Sequence, residues 1–128
     1  MKKKKEYLSL DKLRVYQLAR ELSKIAWEIY ESLDWRDKKI MGDQYVESTD
    51  SVGANIAEDY GRFHYLDKVK FYFNSRGSLV ESRHWIELLS ERRKIDPKLL
   101  KKYLNCYKTL KPGLNGLINS AMKAKRNK

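Results

Sequence analysis

The residues whose types and spacing could do chemistry fall in two stretches, Ser51-Val-Gly-Ala-Asn-Ile-Ala-Glu58 and Arg76-Gly-Ser-Leu-Val-Glu-Ser-Arg-His84. Glu81 and His84 make a Glu-x-x-His pair, the spacing with which helical bundles hold two iron ions. Such a centre needs a second pair of the same kind and two further carboxylates. The only other histidine, His64, has no glutamate three residues before it. A metal centre is therefore not expected, and His84 reads as a hydrogen-bonded histidine in a helix seam. Cys106 is the single cysteine and has no histidine close by in sequence, so it reads as a buried, inert thiol. Gly61 and Gly77 are isolated, with no phosphate-cradling glycine loop around them. Neither a cofactor nor an enzymatic activity is expected.

The polar groups that remain suit a structural task. Asn55 and Glu58 stand three apart, as do Ser78 and Glu81, so each pair shares one face of a helix. An amide, a hydroxyl and carboxylates can satisfy one another across a helix pair, with Arg62 or Arg76 neutralising a carboxylate. We read Asn55, Glu58, Arg62, Ser78 and Glu81 as a polar lock between two helices, because buried polar groups need partners. A ligand pocket is the other reading of the same residues.

These groups must be positioned by helices, since four segments show helical periodicity and none alternates as a strand. From Asp11, a candidate cap, to Leu33, one apolar stripe runs through Val15, Leu18, Leu22, Ile25 and Ile29. A thinner side stripe of Leu13, Tyr16 and Trp27 suggests a partner surface. The second segment, about 38–60, is lined by Met41, Tyr45, Thr49, Val52 and Ile56, with Gly53, Ala54 and Ala57 permitting close backbone approach. The third, about 65–92, reads as an inward stripe of Leu66, Val69, Phe73, Gly77, Val80, His84 and Leu88, with Tyr72 and Leu79 on a flank. Apolar groups around most of its circumference call for burial on more than one side, and another subunit is the economical cover. Leu13, Tyr16, Trp27, Tyr72 and Leu79 are thus the expected oligomer interface. The fourth starts at Asp96-Pro97, follows Leu99, Tyr103, Tyr107, Leu110, Leu114 and Ile118, and should kink at Pro112.

Short connections between such segments favour an all-α fold, an antiparallel up-down-up-down four-helix bundle. A chain of 128 residues is one domain with room for a real core. Its expected divisions are a basic N-terminal tail at 1–10, the bundle at 11–122 and a basic C-terminal tail at 123–128. No apolar run approaches the roughly 20 residues of a membrane span, and Lys2 to Lys5 are followed by no apolar signal core. A cytoplasmic protein with no membrane partner is expected.

Charge is the strongest remaining signal. The formal net charge is +11. Residues 1–20 hold seven bases and two acids, 21–60 four and ten, 61–111 thirteen and five, and 112–128 four bases with no acid. One-sided charge favours a polyanion at one surface, or complementary docking between copies. Lys98, Lys101, Lys102 and Lys108 fall opposite the apolar stripe of the fourth helix. Arg92, Arg93 and Lys94 cluster at the turn before it, and Arg76 and Arg83 share a face of the third helix. Basic and aromatic residues together suit phosphate contact and base stacking, so these nine are the expected nucleic-acid surface, for RNA or DNA. A protein-interaction module with no nucleic-acid role is the alternative.

Together, Ser51 to Glu58, Arg76 to Glu81 and the opening Leu13-Arg-Val-Tyr-Gln-Leu-Ala19 resemble a known family over nearly the whole chain. It is the bacterial four-helix-bundle family encoded in intervening sequences of large-subunit ribosomal RNA genes, also described as ribosomal-protein-like. The accessory proteins of diversity-generating retroelements are related to it. The resemblance implies a barrel-like homopentamer of bundles with a basic surface and no known catalytic activity. From the retroelement relatives it further implies nucleic acid and a reverse transcriptase as partners. Asp59 departs from the pattern, in which glycine usually follows the glutamate, and that bears on how the second helix ends.

Overall fold

The computed structural model describes residues 9–61 and 65–126, with side chains in the second stretch from residue 69 onward. Arg62, His64 and Leu66, together with the lysines of the N-terminal tail, lie outside the described side chains. All regular structure among the described residues is helical. After a 3₁₀ turn at Leu10–Lys12 come α1 (Arg14–Ser32), α2 (Trp35–Asp37), a π turn (Lys38–Gly42), α3 (Asp43–Tyr60), α4 (Tyr65–Glu91) and α5 (Pro97–Arg126). The α2–π–α3 run has no break in helical backbone, so the described residues make four rods.

Helix α1 forms where its apolar residues repeat at three and four, and it buries Val15, Leu18, Leu22, Ile25 and Ile29 as the periodicity predicts. It begins at Arg14, not at Asp11, because residues 10–12 tighten into the 3₁₀ turn and Leu13 is extended. Asp34 caps the second rod: its Oδ1 accepts the Asp37 amide at 2.8 Å. The π turn that follows admits one extra residue per turn, and there α1 and the second rod come close. A Cβ on Gly42 would lie 3.0–3.1 Å from the side chains of Tyr30 and Leu33, so only glycine fits without displacing them. Helix α5 passes through Pro112 unbroken and stays helical to Arg126, past the tail boundary expected at residue 123.

Helix α1 packs between α3 and α5, and α4 completes the square opposite it. The result is the four-helix bundle the periodicity predicts. Tyr45, Val52 and Ile56 of α3, Leu79, Ile86 and Leu89 of α4, and Tyr103, Leu110 and Leu114 of α5 are fully or almost fully buried. Each such side chain contributes about 1.5–3 kcal/mol by leaving water.

Helix α4 is turned relative to the sequence reading. Its inward stripe is Val69, Tyr72, Ser75, Leu79, Ser82, Ile86 and Leu89. Phe73, Gly77, Val80 and His84 point outward. Tyr72 and Leu79, expected in an oligomer interface, are 4% and 1% exposed inside the monomer's own core and cannot meet a partner. With this turn Phe73 and Val80 become exposed apolar residues of α4, at 39% and 60%.

Candidate nucleic-acid interface

The polar lock exists, but different residues make it. Thr49 Oγ1, Ser82 Oγ and the Tyr103 hydroxyl form a chain across α3, α4 and α5, with both links 2.7 Å. Thr49 also donates to the Tyr45 carbonyl at 2.7 Å. About two turns of α4 away, Ser75 donates to the Val52 carbonyl at 2.8 Å. Burial pushes the Tyr103 and Tyr45 hydroxyls far above the ordinary phenol range, so both stay protonated at any working pH.

The residues expected in that lock mostly lie elsewhere. Glu58 and Glu81 are exposed, and Ser78 is half-buried. Asn55 donates to the Ser51 carbonyl of its own helix at 2.8 Å. The physical reason is rotational: Glu58 and Glu81 lie on outward faces of α3 and α4, where a carboxylate keeps its hydration. Asp59, the departure from the family pattern, is instead a fully buried carboxylate, and it accepts the Tyr72 backbone amide. Burial first, and Asp59 second, push the Tyr72 phenol up to about 12.

His84 is exposed, its ring edge-on to Trp85 at 4.9 Å, rather than sealed in a helix seam. No cluster of three or more His, Cys, Asp or Glu among the described residues could hold a metal ion. Cys106 is buried and its thiol donates to the Leu18 carbonyl at 3.3 Å. Burial raises it to about 11, which disfavours the nucleophilic thiolate. No described helix is long and apolar enough to cross a membrane.

The basic residues expected at the site lie along α5, its seam with α4 and the turn between them, while Arg14, Arg20 and Lys24 are exposed on α1. Lys98, Lys101, Lys102 and Lys108 are all exposed on α5. Over its 30 residues that helix carries eight Lys or Arg and no acid, and it spans about 45 Å. Arg76 and Arg83 lean from α4 toward it. Arg76 Nη1 donates to Asn115 Oδ1 at 3.3 Å, and its guanidinium lies 4.9 Å from the Phe73 ring centroid. Arg83 pairs with Glu87 at 2.6 Å and covers the Tyr107 ring at 4.9 Å.

The turn between α4 and α5 is pinned to the second rod. Lys94 Nζ lies 3.3 Å from Asp37 Oδ2, and Arg92 Nη1 donates to the Met41 sulfur at 3.0 Å. Arg93 takes a left-handed backbone, φ 57°, while the Lys94 amide bonds back to the Leu89 carbonyl and the Arg93 amide to that of Ser90. That is a Schellman ending with arginine where glycine is usual. All nine basic residues named from the sequence thus lie along α5, its seam with α4, or the turn joining them.

Exposed aromatic groups lie near the α2 end, Trp27 as expected of a partner surface and Trp35 in addition to it. Trp27 is 51% and Trp35 72% exposed, with Ile40 at 52%. Trp27 stacks on Tyr30 at 5.2 Å, Lys38 sits over Tyr30 at 5.1 Å, and Lys39 over Trp35 at 5.6 Å. The signal was present in Trp35-Arg-Asp-Lys-Lys39, an aromatic residue followed by three basic ones and an acid just before and at the start of the second segment. Of the expected interface residues on the first rod, Leu13 and Tyr16 are half-buried. Tyr16, with Gly53, Ala54 and Ala57, lines a groove of about 690 Å³ between α1 and α3.

Fold and surface together define an all-α four-helix bundle with a cationic fourth rod. Residues 11–116 match the 23S rRNA-intervening sequence protein family, and the chain belongs to it. A crystal structure of a Bacteroides thetaiotaomicron protein of unknown function, from the S23 ribosomal protein family, has the same fold. It aligns with a TM-score of 0.76 at 22% identity, covering 87% of this chain and 99% of that one. No curated protein matches the sequence.

Proposed function

We propose that this chain is a non-enzymatic, homo-oligomeric scaffold that binds nucleic acid along α5 and its seam with α4, in the cytoplasm. The observation that supports it best is the composition of α5: eight cations and no anion over its 30 residues. Phosphates drawn to such a stripe displace condensed counterions, which gives affinity without sequence readout. A nucleic-acid-processing partner, a reverse transcriptase among them, would then be held close to its template. Self-assembly, as a pentamer if the resemblance carries over, multiplies weak sites into avidity.

The exposed apolar strip of α4, Phe73 (39% exposed) and Val80 (60%), is the surface that assembly would cover. Fluorescence anisotropy with a labelled 20-nucleotide RNA and the matching duplex tests the binding. Affinity should fall roughly tenfold or more between low and physiological salt. A Lys101→Glu/Lys102→Glu/Lys108→Glu variant, altered only at exposed positions, should lose most of it while keeping its circular dichroism. Binding that is flat with salt, or that survives the triple reversal, overturns the reading in favour of a protein-interaction module.

A further inference from the structure

We infer that the end of the bundle formed by α2 and the π turn is a stacking site for unpaired bases, so that the preferred ligand is single-stranded nucleic acid. The inference rests on the α5 reading and adds the ligand class to it. Trp35 is the most exposed large apolar side chain described, at 72%. Tryptophan is highly buried on average, so a ring this open is available to a ligand. It is not sealed by an apolar neighbour; its described ring contact is the Lys39 ammonium, 5.6 Å from the ring centroid. A ring with a cation beside it offers an unpaired nucleotide both a π surface and a phosphate partner. A duplex keeps its bases stacked inside and cannot use the ring.

The site joins the lysine stripe. Lys94 binds Asp37 at 3.3 Å, and α5 starts three residues later at Pro97. A strand tracking Lys108, Lys101 and Lys98 along α5 therefore arrives at the α2 end. Of the acids at this end, Asp37 has its charge paired with a lysine, while Asp34, Asp43 and Asp96 are held by neutral donors and keep theirs. Asp34 caps α2, Asp37 pairs with Lys94, Asp43 accepts the Tyr30 hydroxyl at 2.7 Å, and Asp96 accepts the Lys98 amide at 2.8 Å. Exposed Arg36, Lys39 and Arg93 are left facing the solvent.

The test compares fluorescein-labelled oligo(U) of 20 nucleotides with a 20-base-pair RNA duplex, on the full chain and at one salt concentration. Wild type should bind the single strand more tightly, with quenching of tryptophan fluorescence. Trp35→Ala should weaken single-strand binding by about tenfold, in line with the loss of one base stack, and leave duplex affinity unchanged. Trp35→Phe should restore most of it. Because Trp35 is exposed, Trp35→Ala should keep the wild-type circular dichroism. Equal loss for single strand and duplex, or no loss for either, overturns the stacking site while the α5 reading stands. No binding of either probe by wild type overturns both. A drop in particle mass in Trp35→Ala with unchanged RNA affinity also overturns it, and assigns the ring to a subunit contact.

Discussion

The Ser82 hydroxyl lies 2.7 Å from the Tyr103 hydroxyl, and both residues are completely buried. This contact, extended to Thr49 at 2.7 Å, ties three rods together at one level of the bundle. Buried hydroxyls are mostly hydrogen-bonded, and these three satisfy one another in series, whereas the Tyr45 hydroxyl is buried without a partner among the described residues.

Ser82→Ala should therefore cost more than the loss of one hydrogen bond. Thr49 keeps the Tyr45 carbonyl as a partner, but the Tyr103 hydroxyl would be left buried with its described partner gone. The expected loss is about 1–3 kcal/mol. Tyr103→Phe removes the hydroxyl itself, so it should cost less than Ser82→Ala. Urea unfolding of the two variants gives the comparison. Equal or reversed costs would mean that the chain does not hold the seam.

A second prediction concerns Arg93. Its left-handed backbone, φ 57°, carries a steric cost that glycine does not bear, about 1–2 kcal/mol. The Schellman hydrogen bonds around it use backbone groups and need no side chain. Arg93→Gly should thus stabilise the fold by about 1 kcal/mol, after the entropy cost of glycine in the unfolded chain is counted. For a domain of this size that is a rise in Tm of about 3–5 °C. The same variant should bind RNA more weakly, because it removes an exposed cation from the turn. A thermal melt with a parallel anisotropy titration reads both. A fall in Tm would show that the arginine side chain is holding the turn.

How far these features were legible follows from what each helix buries. In α1 and α5 the inward positions are almost all aliphatic or tyrosine, so period and burial coincide, and both stripes could be read directly. In α4 two inward positions are Ser75 and Ser82, and two outward ones are Phe73 and Val80. Hydrophobicity alone turns that helix the wrong way. The signal that corrects it is the hydroxyl pairing with Val52, Thr49 and Tyr103, which depends on residues 21–33 positions away. The basic site was legible as charge, since lysines on a helix opposite an apolar stripe end up exposed. The aromatic end was not, because the exposure of Trp35 depends on the cap at Asp34 and the π turn after it.

The outward turn of α4 leads to the remaining prediction, which separates helix stability from assembly. Gly77 on α4 and Gly116 on α5 are both exposed in mid-helix, and a Cβ on either would meet nothing within 4 Å. In an isolated monomer Gly77→Ala and Gly116→Ala should each stabilise by up to about 1 kcal/mol, because alanine loses less backbone entropy in a helix. Gly77, however, lies between Phe73 and Val80 on the strip that we assign to assembly. There the missing side chain lets a neighbouring backbone come close, and an added methyl would hold it off. Light scattering at micromolar dilution should find wild type and Gly116→Ala at the same mass, above the 15.3 kDa of one chain. Gly77→Ala should shift toward that single-chain value. If all three proteins share one mass, the outer face of α4 is not where copies meet.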